Sequence, residues 1–422
     1  MVTRRSMLIG GGAVLVGAAL AKPSDKGGSC PAYFNNLNQL LRSQEIDRPV
    51  LVIDMDRLDR NIDRVTQSTG SGAGKNYRIV VKSIPCPQLV DYVAQRSHTR
   101  ALMVFHRPFL QEMASLRPDA DILLGKPMPV SAAHHFYANH SGAFNPATQL
   151  QWLIDTEARL QQYLELARAQ NLALRVNLEI DVGLHRGGFS TPEELVPVLT
   201  LISANPQHLS FSGFMGYDAH LMGLPGFLAE RELPKVKARY QAFQDVLKTR
   251  FPQLLHDGLT FNAAGSPTFR HYENDTFVND LSAGTCLMKP THYDIGILKD
   301  FEPSAFIATP VLKKVIGGNL PALGVLGPLL RGWDVNSAQM IFGYSGNWLA
   351  ENEAPPGLSP NFAYTSSNQQ GYNASASVQI GVDDFIFLRP TQSEAVLLQF
   401  GDLVLVRGDK IEARWPVLPV GV

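Results

Sequence analysis

The sequence predicts an α/β protein: a (β/α)8 TIM barrel followed by a C-terminal β-domain. Three observations predict it. Between residues 45 and 298, eight short apolar runs alternate with helix-patterned stretches, and such a barrel takes about 250 residues. The ends of those runs are polar or charged where their middles are apolar. After Phe301 the texture changes to strand-like runs broken by glycine turns.

The eight runs are "RIVVKS" (78–83), "RALMVFH" (100–106), "DILLGKP" (121–127), "LQWLID" (150–155), "ALRVNLEID" (173–181), "LSFSGFMGY" (209–217), "LTFNAAG" (259–265) and "DLSAGTCLM" (280–288). Between them, "TEARLQQYLELARAQN" (156–171) and "TPEELVPVLTLISAN" (191–205) show helical periodicity, the second with Thr191 as a cap and Pro192 in the first turn. Residues 22–44 form an N-terminal arm. "PVLVIDMDRLDRNIDRV" (49–65) precedes the barrel; its strand, 49–55, is a candidate to join the β-domain and its helix a candidate to cover the barrel entrance. The β-domain spans 299–422. In it "FGDLVLVRGDKIEARWPV" reads as a hairpin turning at Gly408-Asp409, and 345–378, rich in Asn, Ser, Gly and Pro, reads as a surface excursion.

Composition narrows the function. Hydrophobic residues are 45% and charged residues 18% of 422, ordinary for a chain that buries a large core. The net charge is −1 with no basic stripe, which argues against nucleic acid as a partner. Three cysteines, Cys30, Cys86 and Cys286, are too few for a disulfide framework and lack zinc-ligand spacing; Cys86 and Cys286 read as small buried hydrophobes. Residues 1–21 read as a secretory signal of twin-arginine type: Arg4 and Arg5, an apolar stretch from Met7 to Leu20, and a cut after Ala21. The expected location is periplasmic or exported, with no membrane association after cleavage. A membrane anchor is the other reading, and the apolar stretch is short and glycine-rich for a span of about 20 residues.

Barrel chemistry sits at the C-terminal ends of strands. Those ends carry Lys82, His106, Lys126, Asp155, Asp181 with His185 and Arg186, Tyr217 with His220, Gly265-Ser266-Pro267-Thr268, and Gly284-Thr285. The last two are glycine/hydroxyl turns on the seventh and eighth strands, where barrels commonly hold a phosphate. A lysine facing a phosphate turn suggests pyridoxal 5'-phosphate, whose aldehyde condenses with a lysine amine. Taken singly, Lys82 reads equally as a snorkelling lysine, Arg186 as a partner of Asp181 or Glu179, and His106, His185 and His220 as hydrogen-bonded structural histidines.

In order along the chain, "RPVLVIDMDRLDRNIDRV", "VVKS", "LEIDVGLHRGGF", "FSGFMGYDAH", "NAAGSPT" and "LSAGTCLMKPTHYD" resemble the fold-type III pyridoxal-phosphate enzymes, the alanine racemase-like barrels, in their D-threonine aldolase/D-serine dehydratase-like branch. The resemblance implies that Lys82 carries the cofactor as a Schiff base and that Arg186 lies against its ring. It implies Tyr217 and His220 in a turn where Ala219 replaces the expected glycine. It implies a phosphate cradle of Gly265, Ser266, Thr268, Gly284 and Thr285, and His185 and His220 beside the substrate. It also implies a homodimer acting on a small amino acid.

The chain departs from that branch in its β-domain, which has no histidine after His292 and no cysteine after Cys286. The branch's usual metal site cannot form, and no metal is expected; Gln392, Ser393 and Glu394 are the donors there that a hard cation would use. It departs from the racemases at Ser282, where they carry an arginine opposite the pyridine nitrogen. "IFGYSGNW" (341–348) resembles the racemase segment bearing a catalytic tyrosine, which makes Tyr344 a candidate acid/base delivered across a dimer interface. The expected activity is a lyase on a D- or β-hydroxy amino acid, of aldolase or dehydratase type. Alternatives are an amino-acid racemase using Tyr344, and a non-catalytic cofactor-binding protein.

Overall fold

The computed structural model describes residues 22–69, 74–318, 324–394 and 396–419; the expected signal at 1–21 lies outside them. The chain divides into two compact units. One holds residues up to Ile53, Ala305–Thr391 and Val404–Ala413; the other holds Asp54–Ser304, Gln392–Leu403 and Arg414–Val422. A boundary at 298 is therefore too simple, because the chain returns to the barrel unit twice near its end.

β1 (Val50–Asp54) belongs to the sheet described below. The barrel strands are β2 (Asn76–Val80), β3 (Ala101–Val104), β4 (Asp121–Leu124), β5 (Leu150–Ile154), β6 (Leu174–Ile180), β7 (Leu209–Gly216), β8 (Thr260–Ala263) and β9 (Asp280–Ala283). All eight pair in parallel in chain order, and β9 closes on β2. Each barrel strand ends one or more residues before its run does, and two of these ends shape the site. β2 stops at Val80, so Lys82 rides on the 3-10 turn Val81–Ser83. β9 stops at Ala283, and Thr285–Met288 is a turn of helix where strand was expected to 288.

The helices follow their patterns with local corrections. Glu157–Gln170 is capped by Thr156, whose Oγ1 accepts the Arg159 N–H at 3.2 Å, and ends at left-handed Asn171. Before the helix Leu195–Ser203, Thr191 makes no side-chain cap; the Glu194 carboxylate accepts the Ser190 N–H at 3.0 Å instead. The helix Met55–Thr69 packs against β2, β9 and the helical turns Phe269–Tyr272 and Thr285–Met288. Its Asn61 Nδ2 donates to the carbonyls of Leu287 (2.9 Å) and Glu302 (2.7 Å).

The barrel interior is not wholly apolar. Arg78 on β2 is 1% exposed, and its guanidinium donates to Asp280 on β9 (2.8 Å) and Asp121 on β4 (2.7 Å). Asn262 on β8 bridges the Asp280 carboxylate and the Ser282 hydroxyl. A buried cation requires such partners, since removing one leaves an uncompensated charge.

The other unit is a sheet of nine strands. Its main path runs β13-β14-β11-β10-β1-β16-β17, with β15 on β10 and β12 on β15. The later strands are β10 (Ala305–Ile316), β11 (Gln339–Tyr344), β12 (Ala350–Ala354), β13 (Ser359–Thr365), β14 (Gln369–Ala374), β15 (Phe385–Pro390), β16 (Asp402–Arg407) and β17 (Lys410–Pro416). β1 joins this sheet, and β16 and β17 form the hairpin around Gly408-Asp409. Two expectations change. Segment 345–378 contains β12, β13 and β14: its polar residues sit on partly exposed strands, where strand pairing supplies the order that a buried face would otherwise give. The arm contains a helix, Ala32–Ser43, that buries Phe34, Leu37 and Leu41 against Val52, Phe306, Phe387 and Val404. Each such side chain contributes about 1.5–3 kcal/mol of burial. Among the described residues, no helix is long and apolar enough to cross a membrane.

Candidate active site

The strand ends of the barrel unit line a cavity that opens to solvent. Its lining draws on Lys82 and Ser83, Phe105 and Gly125, Arg186, Tyr217, the turns at Gly265-Ser266 and Gly284-Thr285, and Glu394. All belong to the barrel unit, Glu394 through the returning segment Gln392–Leu403.

Lys82 owes its position to the 3-10 turn. Val81 and Ser83 are buried on either side, while the Lys82 side chain is 44% exposed toward the cavity. Its ammonium lies 4.9 Å from the centre of the Phe105 ring and 3.6 Å from Glu394 Oε1. The same Oε1 accepts hydrogen bonds from the hydroxyls of Ser83 (2.7 Å) and Thr285 (3.0 Å). Burial works to raise the Glu394 pKa, but the Lys82 charge and these hydroxyls outweigh it and hold the carboxyl below its usual range.

The glycine turns admit no side chain. A Cβ on Gly284 would stand 2.8 Å from the Val80 carbonyl oxygen, and one on Gly265 would stand 2.6 Å from Tyr217 Cε2. Ser266 Oγ accepts the N–H groups of Gly284 (3.0 Å) and Cys286 (3.1 Å), which ties the turn after β8 to the end of β9. Thr268 stands behind this turn: its hydroxyl accepts the Gly265 N–H at 3.2 Å and donates to buried Asp218 at 2.6 Å. It shapes the turn and is not part of the cavity lining.

Arg186 lines the cavity with its guanidinium carbon 4.9 Å from the Tyr217 ring centre and Nη2 4.0 Å from Glu179 Oε1. Its loop is pinned by Asp181, whose Oδ1 accepts the N–H groups of Gly183 and His185. His185 is 77% exposed and paired with Asp181 Oδ2 at 2.6 Å; it serves the loop and does not line the cavity. Neither ring nitrogen of His220 has a hydrogen-bond partner, and His220 is also outside the lining. Tyr344 ends β11 in the other unit, 38% exposed, its carbonyl accepting the Thr309 hydroxyl at 3.1 Å. Cys86 and Cys286 are fully buried free thiols, and burial pushes Cys286 up to about 12.

Sequence reasoning missed Phe105, Tyr293 and the weight of Glu394. Phe105 precedes the His106 that drew attention; a signal existed in that the last aromatic of an apolar run can turn toward a barrel mouth. Glu394 stood out only as a weak donor for a cation. Among the described residues, no group of three or more His, Cys, Asp or Glu side chains is arranged to hold a metal.

The family model described as "Alanine racemase, N-terminal domain" matches residues 53–291, more than half of the chain. The chain belongs to the alanine racemase N-terminal domain family. This places it among the fold-type III pyridoxal-phosphate enzymes. Among solved structures, it is similar to D-threonine aldolase from Filomicrobium marinum, with TM-score 0.70, 16% identity, and coverage of 88% of this chain and 95% of that one. It is similar to D-threo-3-hydroxyaspartate dehydratase from Delftia sp. HT23, with TM-score 0.67, 16% identity and coverage of 88% and 98%. It is also similar to alanine racemase from Clostridium difficile 630, with TM-score 0.65, 16% identity and coverage of 87% and 98%. No curated protein matches the chain. At these identities the likeness is one of fold.

The residues of this alanine racemase-like barrel fit the family's cofactor. At Gly265 a Cβ would collide with Tyr217, and at Gly284 with Val80 and Ser83, all of which line the same cavity, so both turns need glycine for their close packing. Ser266 and Thr285 supply hydroxyls at the same turns, and Lys82 presents an amine to the same cavity. Ser282, at the end of β9, lines the cavity with its hydroxyl oxygen accepting from Asn262 Nδ2 at 2.8 Å.

Proposed function

We propose that the protein is a pyridoxal-phosphate-dependent lyase that cleaves a β-hydroxy amino acid, of the D series, using Lys82 as its amine and proton carrier. One observation carries this reading: Lys82 opens into the cavity that holds the glycine/hydroxyl turns of β8 and β9, with a carboxylate 3.6 Å from its nitrogen. Ser266, Gly284 and Thr285 would hold the phosphate end, and Arg186, stacked on Tyr217, would face the ring. The cofactor, when bound, supplies an electron-withdrawing ring that stabilises negative charge at the substrate α-carbon. Lys82, freed by the substrate amine, moves the proton at that carbon. The lyase reading takes its reaction class from the D-threonine aldolase and hydroxyaspartate dehydratase of like fold, a fold that alanine racemase shares.

Racemisation is the second reading, favoured by the exposure of Tyr344 at the end of β11, where a second copy of the chain can reach it. A homodimer, and export by the signal at 1–21, are part of the proposal. Incubating the coloured protein with D- and L-amino acids separates the readings. Aldehyde release supports aldol cleavage, keto acid with ammonia supports dehydration, and an inverted enantiomer supports racemisation. Intact colour with no turnover leaves a cofactor-binding protein without lyase activity, which contradicts the proposal.

A further inference from the structure

We propose that Glu394 is the second acid/base group of the site, the base that takes the proton from the substrate β-hydroxyl and hands it back to Lys82. This rests on the lyase reading and deepens it. Three placements carry the inference. Glu394 lines the same cavity as Lys82, although 312 positions separate them in sequence. Its Oε1 accepts from the hydroxyls of Ser83 and Thr285 and lies 3.6 Å from the Lys82 nitrogen, so it sits there as an acceptor, the form that takes a proton. It comes from the segment Gln392–Leu403, which leaves the sheet unit to join the barrel. The titratable groups facing it are Lys82 from the turn after β2, Tyr217 from the end of β7, and Tyr293 from the turn Thr291–Tyr293.

The proton circuit closes on this pair. As the Cα–Cβ bond breaks, the hydroxyl proton passes to the Glu394 carboxylate and the O–H bonding pair becomes the second bond of the new carbonyl. The cofactor, when bound, would supply the sink for the electron pair of the broken bond. The Lys82 ammonium then protonates Cα, and the Glu394 carboxylic acid returns its proton to the Lys82 amine. Substrate becomes glycine-type product plus aldehyde, and both side chains end as the ion pair seen at 3.6 Å.

The test uses the cofactor-loaded wild type and the E394Q and E394D variants. It reads the visible band, α-hydrogen exchange of glycine in deuterated water, and aldehyde release from D-threonine. Exchange needs Lys82 alone; aldehyde release needs both groups. The proposal expects E394Q to keep its band and to exchange glycine within about 3-fold, while aldehyde release falls by about 100-fold or more and the acid limb of its pH profile disappears. Should E394Q not fold, E394D carries the comparison, its shorter side chain withdrawing the carboxylate and lowering aldehyde release with the band retained. Aldehyde release within about 3-fold of wild type overturns the proposal. So does an equal loss of exchange and aldehyde release, which would make Glu394 a positioning group for Lys82. A requirement for Mn²⁺ or Zn²⁺ that disappears in E394Q also overturns it, making Glu394 a ligand. A wild type that takes up no colour fails at the parent reading, and this inference falls with it.

Discussion

Tyr217 and Gly265 are fitted to each other: the Tyr217 ring lies where a side chain on Gly265 would be, 2.6 Å from the position of its Cβ. The ring carries the Arg186 guanidinium at 4.9 Å on the cavity side, so the end of β7, the end of β8 and the loop after β6 are positioned through one contact.

Gly265→Ala therefore displaces the ring and, with it, Arg186. The expected outcome is a folded protein whose cofactor affinity falls by about 10-fold or more, since overpacking of this kind costs roughly 1–3 kcal/mol. Titration of the visible band against added pyridoxal phosphate measures it. Unchanged affinity would show that the Tyr217–Gly265 contact does not shape the cradle.

Glu179 sets a pH dependence of stability. Burial, with Asp155 and Asp181 nearby, pushes its carboxyl up to about 7 against an ordinary 4.5, although Arg186 opposes the rise. A folded pKa above the unfolded value gives stability that is full below about pH 4.5 and lost as pH rises through about 7. Denaturant unfolding between pH 5 and pH 8 should show Glu179→Gln escaping a loss on the order of 3 kcal/mol that the wild type suffers. Parallel curves for the two proteins would contradict the assignment.

The Arg78–Asp280 pair inside the barrel is expected to be costly to break and cheap to replace whole. Asp280→Asn leaves the Arg78 cation underpaired beside Asp121 and should cost about 3–5 kcal/mol in a denaturant titration. The double variant Arg78→Met with Asp280→Leu should lose less than Asp280→Asn alone. A double variant that loses more would mean that the polar chain through Asn262 to Ser282 holds the barrel together.

Much of the barrel was legible because it is written locally. Strands such as β3 (Ala101–Val104) are apolar runs, as buried parallel strands tend to be, and the helix Glu157–Gln170 carries its own cap. The ends of β2 and β9 were misread by a few residues because Val81 and the Cys286–Met288 run are apolar too. There, hydrogen bonding to Ser266 and the turn at Gly284 decide the conformation, and hydrophobicity does not. The strands of 345–378 are hard to read because β12 ("AENEA"), β13 ("SPNFAYT") and β14 ("QQGYNA") are built largely of polar and small residues, although β14 lies paired between β13 and β11. Lys82, Arg186, Tyr217 and the two glycine turns could be found from their places at strand ends. Glu394 could not, since nothing local in "TQSEAV" reports that the chain returns to the barrel there. Thr268 and His185 lie outside the cavity lining, engaged by hydrogen bonds to Asp218 and Asp181.

The most direct test of the account is to load the protein with pyridoxal phosphate, reduce it with borohydride, and locate the label by peptide mass spectrometry. The account predicts a visible band that reduction removes, a phosphopyridoxyl group on the peptide bearing Lys82, and no label in Lys82→Ala. A label on another lysine, or a saturated protein with neither band nor label, would contradict it.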